Sequence, residues 1–285
     1  MRRIALAVVA LGACGHSDDA PPPPDPLAVV VASAGSEPRQ LARYALAKGA
    51  TTRLELAIDT ELAAGDMGGP APTFVIALEL HVDDVLADGR MKLRSTIVDA
   101  SAREREGSKV PLPAAAQAQG ELRGVVITAT LSPDGKLTDS KFDTGGKPLP
   151  DSAAAQVAQV AQSFEQLAMP LPAVPVGPGA SWTSTRDLDV GGMQMTSTST
   201  IALVGIAGSQ LAYAMTTSLR GADQQVQRGG LAIDVTNLHG EGDAIGTIDL
   251  ARLAMTSTFE AKFHADMAAA GEKTPIDVAT RVEAR

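Results

Sequence analysis

From Arg53 to Leu62, apolar and polar side chains alternate along the chain. Leu54, Leu56, Ile58 and Leu62 fall on one face, and Arg53, Glu55, Asp59 and Glu61 on the other. A period of two is the signature of a strand with one buried face. Thr73 to Asp83 repeats it, with Phe74, Ile76, Leu78, Leu80 and Val82 inward and Glu79, His81 and Asp83 outward. Met91 to Val98 follows an Asp88-Gly89 turn, which predicts a long hairpin. Val125 to Leu131 and Lys136 to Phe142 flank Ser132-Pro133-Asp134-Gly135, whose residues favour a tight turn.

The period then changes. Val157, Val160, Phe164 and Leu167 form one apolar stripe at helical spacing, with Gln156, Gln159, Gln162 and Glu165 mostly off it. Asp151 or Ser152 can cap the start and Pro170 stops the run, so a helix is predicted near 151–168. A stripe this narrow needs a sheet face to lie on.

Strand patterns resume at Ser181–Leu188, Met193–Val204, Gln210–Leu219, Ala244–Leu250, Leu253–Phe263 and Ile276–Val282. The dense Thr and Ser of Thr196–Thr200 and Thr256–Thr258 suit pleated, partly exposed strands. Pro38–Lys48 reads equally as a short helix or a first strand, and Ala102–Gly120 as a long loop or a marginal helix. Strands, one helix, then more strands exclude a parallel α/β fold, which needs helices between its strands. The expected fold class is mainly β, a large curled antiparallel sheet resembling a half-barrel with one covering amphipathic helix.

The start of the chain is different in kind. Met1-Arg2-Arg3 is positive and Ile4–Leu11 is an unbroken apolar run. Eight helical residues reach only about 12 Å, against the ~30 Å hydrocarbon core of a bilayer. The run is therefore read as a signal-peptide core. Leu11-Gly12-Ala13-Cys14 resembles the lipobox of bacterial lipoproteins. That resemblance implies cleavage after Ala13 and lipidation of Cys14, giving a membrane partner through the lipid anchor. An ordinary secretory signal followed by an unrelated cysteine is the alternative. Gly15 after the cysteine, by resemblance to enterobacterial sorting, implies the outer membrane, facing the periplasm.

Gly15–Pro26 (GHSDDAPPPPDP) is polar and proline-rich, a semi-rigid spacer or, alternatively, a ligand for an SH3-like partner. The expected division is residues 1–13 signal peptide, 14–35 lipidated disordered tether, and 36–285 a single β-rich domain.

Composition narrows the function. Loss of Arg2 and Arg3 with the signal would make the chain two charges more negative than its formal −9, which argues against nucleic acid and anionic lipid surfaces. Aromatics are few, with one Trp, two Tyr and five Phe, so stacking platforms for sugars or single strands lose support. Cys14 is the lone cysteine and can form no intramolecular disulfide.

His16, His81, His239 and His264 lack metal-ligand spacing in the sequence. Gly65-Asp66-Met67-Gly68-Gly69-Pro70 imitates the nucleophile loop of trypsin-like proteases. Met67, however, stands where the serine must be and cannot attack a carbonyl. Gly240-Glu241-Gly242 with Gly246 misses the dinucleotide-binding spacing. Asp83, Asp84 and Asp88 do not match an EF-hand loop. No catalytic residue, metal site or cofactor is assigned, and the chain is read as non-enzymatic, although dispersed residues can assemble a site in three dimensions.

Met91, Met193, Met195, Met215 and Met255 fall in predicted strands. Flexible thioethers suit a cavity that adapts to an acyl chain, and equally suit a core short of aromatics.

The lipobox, the proline tether, the β–helix–β order and Pro172–Trp182 (PAVPVGPGASW) together are similar to bacterial envelope lipoproteins. Their architecture resembles the LolA and LppX group, in which an unclosed β-barrel with helix cover holds acyl chains. The resemblance covers most of the chain by element order and transfers a fold, not site residues. It implies an apolar ligand such as a lipid or a lipoprotein acyl chain. The candidate lining is Leu78, Leu80, Phe164, Met193, Met195 and Met255. A structural or adaptor lipoprotein engaging another envelope protein is the alternative.

Overall fold

The computed structural model describes residues 28–65, 67–113, 115, 120, 122–146, 168–190, 192–228, 231–269 and 272–285. The helix predicted near 151–168 lies outside them, Ala168 excepted. Fourteen strands follow one another: β1 Ala28–Ser33, β2 Thr51–Ala64, β3 Met67–Pro70, β4 Thr73–Val85, β5 Met91–Arg103, β6 Val126–Leu131 and β7 Leu137–Asp143, then β8 Ser181–Val190, β9 Met193–Ala207, β10 Gln210–Arg220, β11 Gln224–Arg228, β12 Leu231–Asp249, β13 Ala254–Ala269 and β14 Glu272–Ala284. All belong to one sheet in the order β1-β8-β9-β10-β12-β13-β14-β2-β4-β5-β6-β7, with β11 beside β12 and β3 beside β2. The fold is mainly β, and the sheet is not closed into a barrel, because β1 and β7 each have a neighbour on one side only.

The strands predicted by alternation are present, and several run longer than the pattern indicated. β5 continues to Arg103, taking in the start of the ambiguous Ala102–Gly120 stretch. β12 begins at Leu231, well before Ala244, because glycines at 240 and 242 interrupt the apolar rhythm without interrupting the ladder. Pro38–Lys48 is neither helix nor strand. It is an irregular segment with one isolated β-bridge, Gln40 to Val176.

One boundary is corrected. The tether was placed at 14–35, yet Ala28–Ser33 is strand β1, laddered antiparallel onto Ser181–Thr185 of β8. Val29 and Val31 pack against the main core. A run of three valines can bury alternate side chains at a sheet edge, which the preceding prolines cannot do.

The sheet curls, and its two ends are tied together. Leu171 donates its backbone N–H to Asp134 O in the β6–β7 turn at 2.8 Å. The Trp182 indole of β8 donates to Pro170 O at 2.9 Å. Residues 168–180 thus form a strap from one end of the sheet to the other. A second segment, 34–50, plugs the same mouth: Tyr44 N bonds Pro133 O at 2.8 Å, Ala45 N bonds Leu250 O at 3.0 Å, and Gln40 Nε2 bonds Gly208 O at 3.0 Å. The main core fills this end, drawing Trp182 and Ile201 from one side and Ile97 and Ile127 from the other. A smaller cluster of Met195, Val226, Val235, Leu238 and Ala265 occupies the opposite mouth. Among the described residues no helix is long and apolar enough to cross a membrane.

Candidate functional site

Direct cross-strand partners share a face, so the register converts sequence into rows across the sheet. One inner-face row reads Trp182, Ile201, Met215, Ala244, Phe259, Val282 and Ile58. Four residues along each strand, towards the smaller cluster, another reads Arg186, Ser197, Leu219, Gly240, Phe263, Val278 and Leu62. Between them runs a third: Ser184, Ser199, Thr217, Gly242, Ala261, Thr280 and Thr60. Seven adjacent strands contribute nothing larger than threonine to that middle row.

The inner face is thereby grooved. Large apolar side chains flank a floor of hydroxyls, a methyl and a glycine, except at Ala244 on one side and at Arg186, Ser197 and Gly240 on the other. Ser199 Oγ and Thr217 Oγ1 bond each other at 2.9 Å. Ser184 is 3% exposed, and its Oγ has no hydrogen-bond partner. Phe259 leans towards Gly242, where a side chain would meet its ring edge. On the β13–β14–β2 side the flanking apolar groups are only half-buried, and Leu62 is 44% exposed.

The six candidate lining residues separate. Leu78 and Leu80 are sealed inside the main core, and Met255 packs against it from the inner face of β13. Met195 belongs to the smaller cluster with Met193 packed beside it. Phe164 lies outside the described residues, as does Cys14. Four of the six therefore divide between the two clusters on either side of the middle row, together with Met255, and none of the described five lies on the row itself.

The outer face is polar. It carries a second row that sequence spacing could not show: Arg220, His239, His264, Asp277 and Ala63 are successive partners on β10, β12, β13, β14 and β2. The two histidines are 25 positions apart in the chain, yet their ring centroids are 5.2 Å apart. His264 Nδ1 is 2.7 Å from Asp277 Oδ1, and His239 Nδ1 is 2.9 Å from Asn237 O. Both acceptors lack protons, so each ring carries its hydrogen on Nδ1. These residues, with Glu241 and Lys262, border a cleft of about 450 Å³. Among the described residues no three His, Cys, Asp or Glu side chains are grouped to hold a metal ion.

Charge on this face is paired locally. Lys273 beside Asp266 holds that carboxyl below the usual range, and Arg285 and Arg103 do the same for Glu55. Arg94 depresses Asp83, and Arg123 depresses Asp99. The strongest perturbation is structural: burial pushes the Tyr44 hydroxyl far up, which keeps it neutral as a donor. Beside Asp83, Thr51 Oγ1 lies 3.1 Å from His81 Nδ1, and His81 Nε2 lies 3.5 Å from Asp83 Oδ1; the polar face offers ion pairing and hydrogen bonding. The inner face offers apolar area beside a row with hydroxyls at both ends.

Comparison with known proteins gives no relative from which to transfer a role: no family model matches the chain, and no curated protein or solved structure is significantly similar to it.

Proposed function

We propose that the protein is a lipid-anchored envelope lipoprotein that binds an apolar ligand, a lipid or an acyl chain, against the concave face of its half-barrel. One observation carries this reading. The inner face of β13, β14 and β2 presents Leu62, 44% exposed, beside the half-buried Phe259, Phe263, Val278 and Val282. Apolar area of this kind gains about 25 cal/mol per Å² when covered, which favours an apolar occupant. The lipobox at Leu11–Cys14 supports attachment to a membrane and Gly15 the outer one, and the acidic balance supports a domain that stands off an anionic surface.

The test is a binding titration of the full-length chain with an environment-sensitive fatty acid, read by fluorescence. Saturable uptake near one per chain, competed by unlabelled lipid, is expected. Leu62→Asp, at the exposed end of this face, should weaken it while the thermal transition stays in place. Titration curves that never saturate, or that Leu62→Asp leaves alone, would remove this reading.

A second reading is favoured by a different feature. β1 is a free edge of sequence AVVVAS with no charge and no proline, and Val30 is 62% exposed. The opposite edge, β7, carries Asp139, Lys141 and Asp143 and a break in register after Thr128. Charges blunt an edge, and β1 has none, although it too has a break in register, between Val31 and Ser33. Such a strand suits an adaptor that adds a partner's strand to its own sheet.

A further inference from the structure

The histidine pair of the outer face plays no part in the apolar reading above, and its geometry has a chemistry of its own. We propose that His239 and His264 together hold one divalent transition-metal ion of the zinc and copper class, each through its Nε2 atom. The site stands on the outer face and is independent of any ligand on the inner one.

Three observations carry the proposal. The first is spacing. A zinc–nitrogen bond is about 2.0–2.1 Å long and the ring centre lies about 1.2 Å beyond the nitrogen, so two imidazoles on one tetrahedral ion hold their centres about 5 Å apart. The ring centres of His239 and His264 are 5.2 Å apart, with the planes tilted by 45°. The two residues are direct cross-strand partners on β12 and β13, so the ladder itself sets that separation. Two protein ligands leave the other positions of the ion to solvent, which makes the site open and exchangeable.

The second is the way the rings are held. Metal-binding histidines commonly donate their other N–H to a carboxylate or a backbone carbonyl, which fixes the tautomer and orients the ring. Both do so here: His264 Nδ1 to Asp277 Oδ1 at 2.7 Å, and His239 Nδ1 to Asn237 O at 2.9 Å. Each Nε2 then carries a lone pair, and neither has a hydrogen-bond partner among the described residues. The backbone departs from regular strand at the second of these bonds. Asn237 takes a left-handed φ of +55° at the break in register between Thr236 and His239. Bulges of this kind re-aim side chains beside functional sites.

The third is shelter and charge. The His264 side chain is only 26% exposed, and the pair borders the outer-face cleft of about 450 Å³. Asp266 Oδ1 lies 3.8 Å from His264 Nε2 and adds negative charge beside the donor nitrogen. Four carboxylates, Glu61, Glu241, Asp266 and Asp277, stand around the pair against three cations, Arg220, Lys262 and Lys273. Imidazole nitrogen selects zinc, copper or nickel, whereas magnesium and calcium take oxygen ligands.

The test uses the full-length chain carrying Cys14→Ser and His16→Ala, which removes a thiol and a further imidazole able to bind the same ions. Zinc is titrated in and followed by calorimetry, and copper(II) is added for electron paramagnetic resonance. One ion per chain is expected, with nitrogen hyperfine structure from two imidazoles. His239→Gln and His264→Gln should each weaken zinc binding by more than about tenfold, and Asp277→Ala, which removes the acceptor that orients His264, by about tenfold. His81→Gln, three strands from β13, should leave it unchanged. The metal-free thermal midpoint of His239→Gln should match the parent's, because His239 is exposed, and this separates a lost ligand from a lost fold. No zinc uptake by the parent chain, or uptake that both histidine substitutions leave intact, overturns the site. Neither result bears on the carrier reading.

Discussion

The side-chain hydroxyl of Tyr44 engages both backbone groups of Met169. It accepts from Met169 N at 2.8 Å and donates to Met169 O at 3.3 Å. Tyr44 sits in the plug and Met169 opens the strap, so one buried phenol fixes the two segments that close the filled mouth of the half-barrel. Tyr44→Phe leaves an N–H and a carbonyl unpaired in a buried place, which costs about 1–3 kcal/mol. Urea unfolding should show a lower midpoint with an unchanged slope.

Gly135 is the turn residue beneath that contact. Its φ is +89°, and a Cβ there would run into the Met169 carbonyl oxygen and the Tyr44 ring. Gly135→Ala therefore meets both backbone strain and collision. It should destabilise by more than 1 kcal/mol, and more than Gly145→Ala, where nothing stands within contact distance. Equal thermal midpoints for the two variants would contradict the strap geometry.

Acid should weaken the fold through its paired carboxylates. Glu55, Asp83, Asp99 and Asp266 are each held below their ordinary values by a neighbouring cation. A depressed folded value means stability that is present above the unfolded value, about 4, and is lost as pH falls through the folded value. The pairs are exposed, so each contributes little. Thermal midpoints should therefore stay level from pH 7 to about 5 as far as these groups are concerned, then fall below about 4. Glu55→Gln should make the acid limb shallower. A decline already complete at pH 5 would point to other groups.

Val30→Lys places a charge on the bare β1 edge, outside the core. Stability should shift by no more than about 0.5 kcal/mol, while concentration-dependent association, followed by light scattering, should diminish. Association that the substitution leaves untouched would clear β1 of a docking role.

Much of this architecture is legible in the sequence, because alternation is set by burial on one face. Leu54–Ile58 and Phe74–Val82 declare themselves as strands at once. The rest fails for identifiable reasons. β1 was hidden by its proline-rich neighbour, and the first half of β12 by Gly240 and Gly242, whose missing side chains remove the alternation that betrays a strand. The candidate lining rests on residue type. Type cannot separate Leu78, sealed in the core, from Phe259, on the groove wall. The Ser184–Thr60 row and the His239–His264 pair exist only through register across strands distant in the chain. No local pattern encodes either, although a small residue recurring near the centre of each long strand is, in hindsight, the one trace the groove leaves.

Native mass spectrometry of the full-length Cys14→Ser chain, purified without detergent and then incubated with envelope phospholipids and fatty acids, tests the central claim most directly. The carrier reading predicts one retained apolar molecule per chain, released on solvent extraction and depleted from Leu62→Asp. A bare protein mass before and after incubation would contradict it.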